Sequence, residues 1–182
     1  MKLYVVRHGP AEDQSSSGQD GDRALTPSGR ERVRSVAELL VELDEAPVTI
    51  ITSPLVRAVQ TAEIIAVVAR PAQSKGLVEV RREMSPSGDP AELVGQLLAE
   101  RRKRAMIVGH EPDLSELVAT LLGKDSFRRS FDKAMVVGLH VTARSNPASS
   151  RTVHPPKGIL TKLRFILDPK ALRLDPDVRT PS

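Results

Sequence analysis

The sequence predicts a three-layer α/β/α sandwich built on one mostly parallel sheet. Two observations lead there. Short β-branched runs alternate with stretches whose apolar residues recur every three or four positions, the pattern of parallel strands covered by helices on both faces. Each run is also closed by residues that start helices, so strand ends and helix starts fall together. With 182 residues and 40% apolar content, the chain has enough core for one domain, expected over residues 1–168, with a loosely ordered tail at 169–182. No internal repeat and no second domain stands out.

Taken in order, KLYVV at 2–6 reads as a buried strand. A Ser/Gly/Asp/Gln-rich loop follows at 11–23. Thr26 is the expected N-cap of the first helix and Pro27 its first residue, where a missing N–H costs nothing. Val33, Val36, Ala37, Leu40 and Val41 supply its apolar stripe. VTIIT at 48–52 is the second strand. Ser53-Pro54 should open a helix whose apolar face carries Leu55, Ala58, Val59, Ala62, Ile65 and Ala66.

A weak strand is expected at 76–80, then a helix capped by Asp89-Pro90 that carries Leu93, Val94, Leu97 and Leu98. AMIVG at 105–109 is the next strand and ends in His110. A helix from Pro112 onward bears Leu114, Leu117, Val118, Leu121 and Leu122, and Gly123 stops it. Two strands close the domain at 134–141 and 159–167; the second alternates as a half-solvated strand does.

Composition narrows the function classes. The net charge of +4 suits an anionic substrate or partner without specifying one. Nucleic acid is not an expected partner. Aromatics are scarce, and the one dense basic run, ERRKR at 100–104, follows a helix whose C-terminal dipole favours cations. The absence of Cys removes disulfides, thiolate metal sites and Cys nucleophiles. No apolar run is long enough to span a membrane and no signal peptide is read, so a cytoplasmic location is expected by default.

Chemistry concentrates at three strand-to-helix junctions. The first strand ends in Arg7-His8-Gly9, the second helix carries Arg57 in its first turn, and the fourth strand ends in Gly109-His110. Parallel strands would bring two imidazoles and two guanidiniums to one sheet edge, where open α/β folds bind ligands. Helix N-termini add backbone N–H groups there. Such a pocket fits a phosphoryl group: arginine forks match its oxygens, and the imidazoles can attack or donate.

YVVRHG, SPLVRAVQTAE and VGHEPDL, in this order, resemble the histidine phosphatase superfamily, which includes the phosphoglycerate mutases. RALTPSGRERV and MSPSGDP are similar to its SixA-type phosphohistidine phosphatase branch. The likeness runs from residue 2 to about residue 122, and it implies a phosphoglycerate mutase-like fold. It also implies that His8 is the nucleophile and passes through a phosphohistidine intermediate. Arg7 and Arg57 would clamp the phosphoryl oxygens, His110 would hydrogen-bond them, and no metal or cofactor would be needed.

Attack requires a neutral His8 with one ring nitrogen free and the other donating to a backbone carbonyl. A cationic surround favours that neutral form. Gly9, counted with the substrate-binding residues, is expected to let the backbone turn away from the phosphoryl group. Glu83 is the nearest candidate for a general acid, although it stands beside Arg81 and Arg82 as a solvated carboxylate would. Phosphohistidine needs little acid help, because its leaving imidazole has a conjugate acid of pKa about 6.5.

The expected substrate is therefore a phosphohistidine-bearing protein. A broad phosphomonoesterase or mutase acting on small metabolites is the alternative, and a non-catalytic phosphate-binding module ranks below it. Asp22 and Arg23 read as a salt bridge in the site loop, Glu111 as a residue that orients His110, and Gln60 and Thr61 as structural. His140 and His154 read as non-catalytic.

Overall fold

A computed structural model describes residues 1–69, 78–123, 127–143 and 158–175. His154, the last seven residues of the tail, and residues 76 and 77 of the expected weak strand lie outside the described residues.

The sheet has seven strands in the order β3-β2-β4-β1-β5-β6-β7: β1 (Lys2–Arg7), β2 (Thr49–Thr52), β3 (Val78–Val80), β4 (Arg104–Gly109), β5 (Val136–Ala143), β6 (Ile159–Asp168) and β7 (Arg173–Leu174). β3, β2, β4 and β1 pair in parallel; β5, β6 and β7 add on through antiparallel pairs. The sheet is thus mostly, but not wholly, parallel. The four helices are α1 (Pro27–Glu42), α2 (Val56–Ala69), α3 (Pro90–Ala99) and α4 (Asp113–Leu122).

Alternation along the central strands divides the core in two. Tyr4, Val6, Ile50, Met106 and Val108 pack against Val33, Val36 and Leu40 of α1 and Ala58, Ala62 and Ile65 of α2. Leu3, Val5, Ile51, Ala105 and Ile107 pack against Leu93 and Leu97 of α3 and Leu114, Leu117 and Val118 of α4. Because β1 and β4 are buried on both faces, every residue in them can be apolar.

Side-chain capping fixes the starts of α1 and α3. Thr26 accepts from the Gly29 N–H with Pro27 at the first helical position, and Asp89 accepts from the Ala91 and Glu92 N–H groups ahead of α3. Gly123 ends α4 at φ 98°, a conformation that side chains disfavour.

Four expectations change. Val41 is 44% exposed rather than part of the stripe, because it falls on the solvent edge of α1. α2 begins at Val56, two residues later than Pro54, because its first carbonyl acceptor is that of Leu55, which takes the N–H groups of Ala58 and Val59. Arg57 and Thr61 are buried on the inner face of α2, a face expected to be apolar. The tail is not loose from its start: residues 169–175 turn and form β7, pairing Leu174 with Leu167 and Arg173 with Asp168.

Candidate active site

Register aligns the strand ends. Arg7 pairs with Gly109, and Thr52 pairs with Val108, so β1, β4 and β2 stop at one level. The next residues continue the ladder: His8 N–H donates to the Gly109 carbonyl at 3.2 Å and Ser53 N–H to the Val108 carbonyl at 3.1 Å. His8, Ser53 and His110 are thereby set side by side on the carboxyl edge, where ligands of such sheets bind.

His8 is 6% exposed, and its Nδ1 lies 2.7 Å from the Gly9 carbonyl oxygen. A carbonyl can only accept, so Nδ1 carries the proton and Nε2 keeps its lone pair. Burial, opposed by the hydrogen bond to Gly9 and reinforced by the positive charges of Arg57 and Arg7, pushes the His8 pKa down to about 3. The ring is therefore neutral at physiological pH. The His110 ring lies 5.2 Å away, centroid to centroid.

His110 is 5% exposed, and its Nε2 lies 2.8 Å from the Ser53 hydroxyl oxygen. That oxygen also accepts from Leu55 N–H at 3.3 Å, and with one proton and two lone pairs it can pair with either tautomer of the ring. The His110 Nδ1 is buried with no partner among the described residues. Burial, with Arg57, Arg7 and Arg23 nearby, lowers the His110 pKa to about 4, against the opposing charge of Asp20.

The arginines are oriented from behind. Arg7 Nη1 donates to the Phe131 carbonyl at 2.6 Å. Arg57, 5% exposed, donates from Nη1 to the Asp20 carbonyl at 2.7 Å and from Nη2 to Asp20 Oδ2 at 2.9 Å. The Nε atoms of both arginines are buried and unpartnered. Unpaired buried donors are costly. Their gathering around two neutral imidazoles makes a receptor for an anion with several acceptor oxygens. Among the described residues, no cluster of three or more His, Asp or Glu side chains is arranged to hold a metal ion. No helix among them is long and apolar enough to cross a membrane.

The structure brings Arg7, His8, Arg57 and His110 together; other candidates have partners of their own. Glu83 is bound to Arg81 at 2.6 Å, and that hydrogen bond lowers its pKa. Glu111 accepts from the N–H and hydroxyl of Ser115, and burial raises its pKa. His140 is exposed on β5.

The Gly9 φ is not positive, so its backbone conformation is open to any residue. A Cβ there would lie 2.6 Å from Val33 Cγ2 and 3.2 Å from the Gly29 carbonyl, so the glycine lets α1 approach the tip of β1. Its N–H donates to Thr61 Oγ1 at 3.0 Å, and Thr61 donates to the Arg57 carbonyl at 2.7 Å. Gln60 accepts from Leu25 N–H.

Sequence reasoning missed two residues. In the loop, Asp20 rather than Asp22 meets both Arg57 and Arg23. Ser53 orients His110 rather than acting as a simple cap. Nothing in DQSSSGQDGD ranks one acid above another, and a Ser before Pro reads first as a helix cap.

The family model of the histidine phosphatase superfamily (branch 1) matches residues 3–84. An uncharacterized protein of Picosynechococcus sp. is 37% identical over 145 residues, covering 76% of this chain and 84% of that relative. Among solved structures, the protein histidine phosphatase SixA complexed with tungstate superposes with a TM-score of 0.75 at 22% identity, covering 95% of this chain and 100% of that one. A mycobacterial glucosyl-3-phosphoglycerate phosphatase complexed with VO3 superposes with a TM-score of 0.62 at 18% identity, covering 90% and 96%. At these identities the two structures establish a shared fold.

Proposed function

The chain belongs to the histidine phosphatase superfamily, and we propose that it hydrolyses protein phosphohistidine through a phosphohistidine intermediate on His8. Membership supports phosphatase activity; the substrate and the residue roles are the proposal. One observation carries it: a buried, neutral His8 whose Nδ1–H is held by the Gly9 carbonyl, with Nε2 free beside two arginines.

In the first step, the Nε2 lone pair forms a P–N bond as the substrate's P–N bond breaks, and the departing imidazole takes up a proton. In the second, water adds to phosphorus, the His8–phosphorus bond breaks, and water's proton is released with phosphate. Phosphoryl transfer needs chiefly positioning and charge stabilisation. Arg7 Nε, Arg57 Nε and His110 in its Nδ1–H tautomer are the donors available to the phosphoryl oxygens.

The substrate reading rests on the leaving group. Glu83 is held as a carboxylate by Arg81, contrary to what a proton donor requires. A leaving imidazole has less need of one than an alkoxide. The SixA fold likeness points the same way.

A second reading, hydrolysis of small phosphate esters, draws on Glu111. Burial raises the pKa of this carboxyl, as suits an acid. The fold shared with the glucosyl-3-phosphoglycerate phosphatase keeps that reading in view.

The test is turnover of a phosphohistidine peptide against a panel of sugar phosphates, phosphoglycerates and nucleotides. The expected result is a kcat/KM for the peptide above every ester. A preference for one ester by orders of magnitude would move the assignment to the second reading.

A further inference from the structure

We propose that Arg23 is a third phosphoryl-binding arginine, poised by Asp20 in the loop before α1; this rests on the phosphatase reading above. The Asp20 carboxylate bridges two guanidiniums, with Oδ1 2.8 Å from Arg23 Nη2 and Oδ2 2.9 Å from Arg57 Nη2. Arg23 Nη1 also donates to the Glu12 carbonyl at 3.1 Å. The Nη groups of Arg23 are thus tied to its own loop, while its Nε is buried without a partner.

Arg57 shows the same division: Nη groups on Asp20, Nε buried and unpaired. A buried, unpaired Nε alone does not mark a site, since Arg104 has one beside exposed Asp44 at the other end of the sheet; at Arg23 the Asp20 bridge to Arg57 is what brings it to the phosphoryl clamp. A binding arginine keeps a desolvated donor for its ligand. The Arg23 charge is also the least of the influences that lower the His110 pKa, after burial, Arg57 and Arg7.

Asp20 is 67% exposed at its side chain, so it is not buried to stabilise the core. It holds two cations that would otherwise repel each other, each with a donor in reserve. Arg23 further lines a recess of about 390 Å³ with Asp13, Gln14, Ser15, Gln19 and Asp20. It therefore stands between the phosphoryl clamp and a polar cavity on the loop side.

Calorimetric titration with tungstate, an inert phosphoryl mimic, tests this on Arg23→Gln and Arg23→Lys, with Arg57→Ala as reference. A charged hydrogen bond is worth about 1.5–3 kcal/mol, so Arg23→Gln should weaken tungstate binding about tenfold or more. Arg23→Lys should recover only part of the loss, since an ammonium has no fork. The His110 titration, followed by NMR, should move upward in Arg23→Gln and stay near wild type in Arg23→Lys, which keeps the charge, whereas loosening of the loop would move it in both. Tungstate affinity within about twofold of wild type, with Arg57→Ala impaired, overturns the proposal. Failure of the phosphatase reading looks different: wild type would bind tungstate with the Arg23 dependence intact yet turn over neither phosphohistidine nor esters.

Discussion

Two charged clusters lie at opposite ends of β1, and they are finished in different ways. At the start of the strand, Glu45 accepts from Lys2 Nζ at 3.1 Å, from Tyr4 OH at 2.7 Å and from Arg164 at 2.5 and 2.9 Å. Burial alone would raise the Glu45 pKa, but hydrogen bonds from Arg164, Tyr4 and Lys2 bring it down to about 2. Those four bonds close on one carboxylate and tie the end of α1 to β1 and β6, with Arg104 beside them on β4 keeping a buried Nε unpartnered among the described residues.

At the far end of the strand, Arg7, Arg23 and Arg57 each keep a buried Nε unpaired, and His110 keeps Nδ1. A cluster that only stabilises closes its own hydrogen bonds. A cluster built to bind leaves donors for a visitor and bears their desolvation until it arrives. Burial, charge and even one unspent donor, Arg104 Nε, occur at the first end; what sets the far end apart is that three such arginines gather about two neighbouring imidazoles.

Substitutions should separate the two ends. The largest effect is expected from His8→Ala, which should lower kcat/KM by on the order of 10⁴-fold or more and abolish an acid-labile phosphoenzyme in trapping experiments. Substantial residual turnover would remove His8 from the mechanism.

Acid lability comes next. The folded pKa values of His8 and His110, about 3 and about 4, lie below the unfolded value of 6.5. The unfolded chain therefore takes up protons first. This contribution to stability is fully present above about pH 6.5 and is lost as pH falls towards the folded values. Urea midpoints measured between pH 7.5 and 4 should fall, and the His8→Asn, His110→Asn double variant should show a shallower slope. An unchanged slope would mean that the rings are not held neutral.

Glu45→Ala addresses the opposite end. It should cost about 2–3 kcal/mol in denaturant unfolding, less than a fully buried pair because Lys2 and Arg164 can turn to water. At that distance kcat/KM should stay within about twofold. A large loss of turnover would tie the two clusters together.

Gly9→Ala is the smallest change, at about 1–2 kcal/mol from overpacking against Val33. Val33→Ala in the same chain should return part of it. If the double variant is no better than additive, the close approach of α1 is not the reason for the glycine.

Much of this architecture could be read from the chain because the responsible forces are local. Thr26-Pro27 and Asp89-Pro90 cap their helices through side chains two or three residues away, and β-branched runs make strands wherever they are covered. His8, Arg57 and His110 could be anticipated together because each follows a strand or opens a helix, and parallel pairing carries such positions to one edge. Val41 and the start of α2 could not, since a stripe's width and a cap's partner depend on what packs beside them.

Asp20, Ser53 and Gly9 show the same limit within the site. Loop acids look alike until a guanidinium reaches one of them across 37 residues. The sequence alone settles the order of elements, the two-sided burial of β1 and β4, and which residues stand at the strand ends, because propensity, periodicity and capping act within a few residues. Tertiary structure alone decides which His8 nitrogen is free, which arginine donors stay unpaired and which acid holds them. Those depend on desolvation and on contacts between segments far apart in the chain, and no short stretch of sequence contains them.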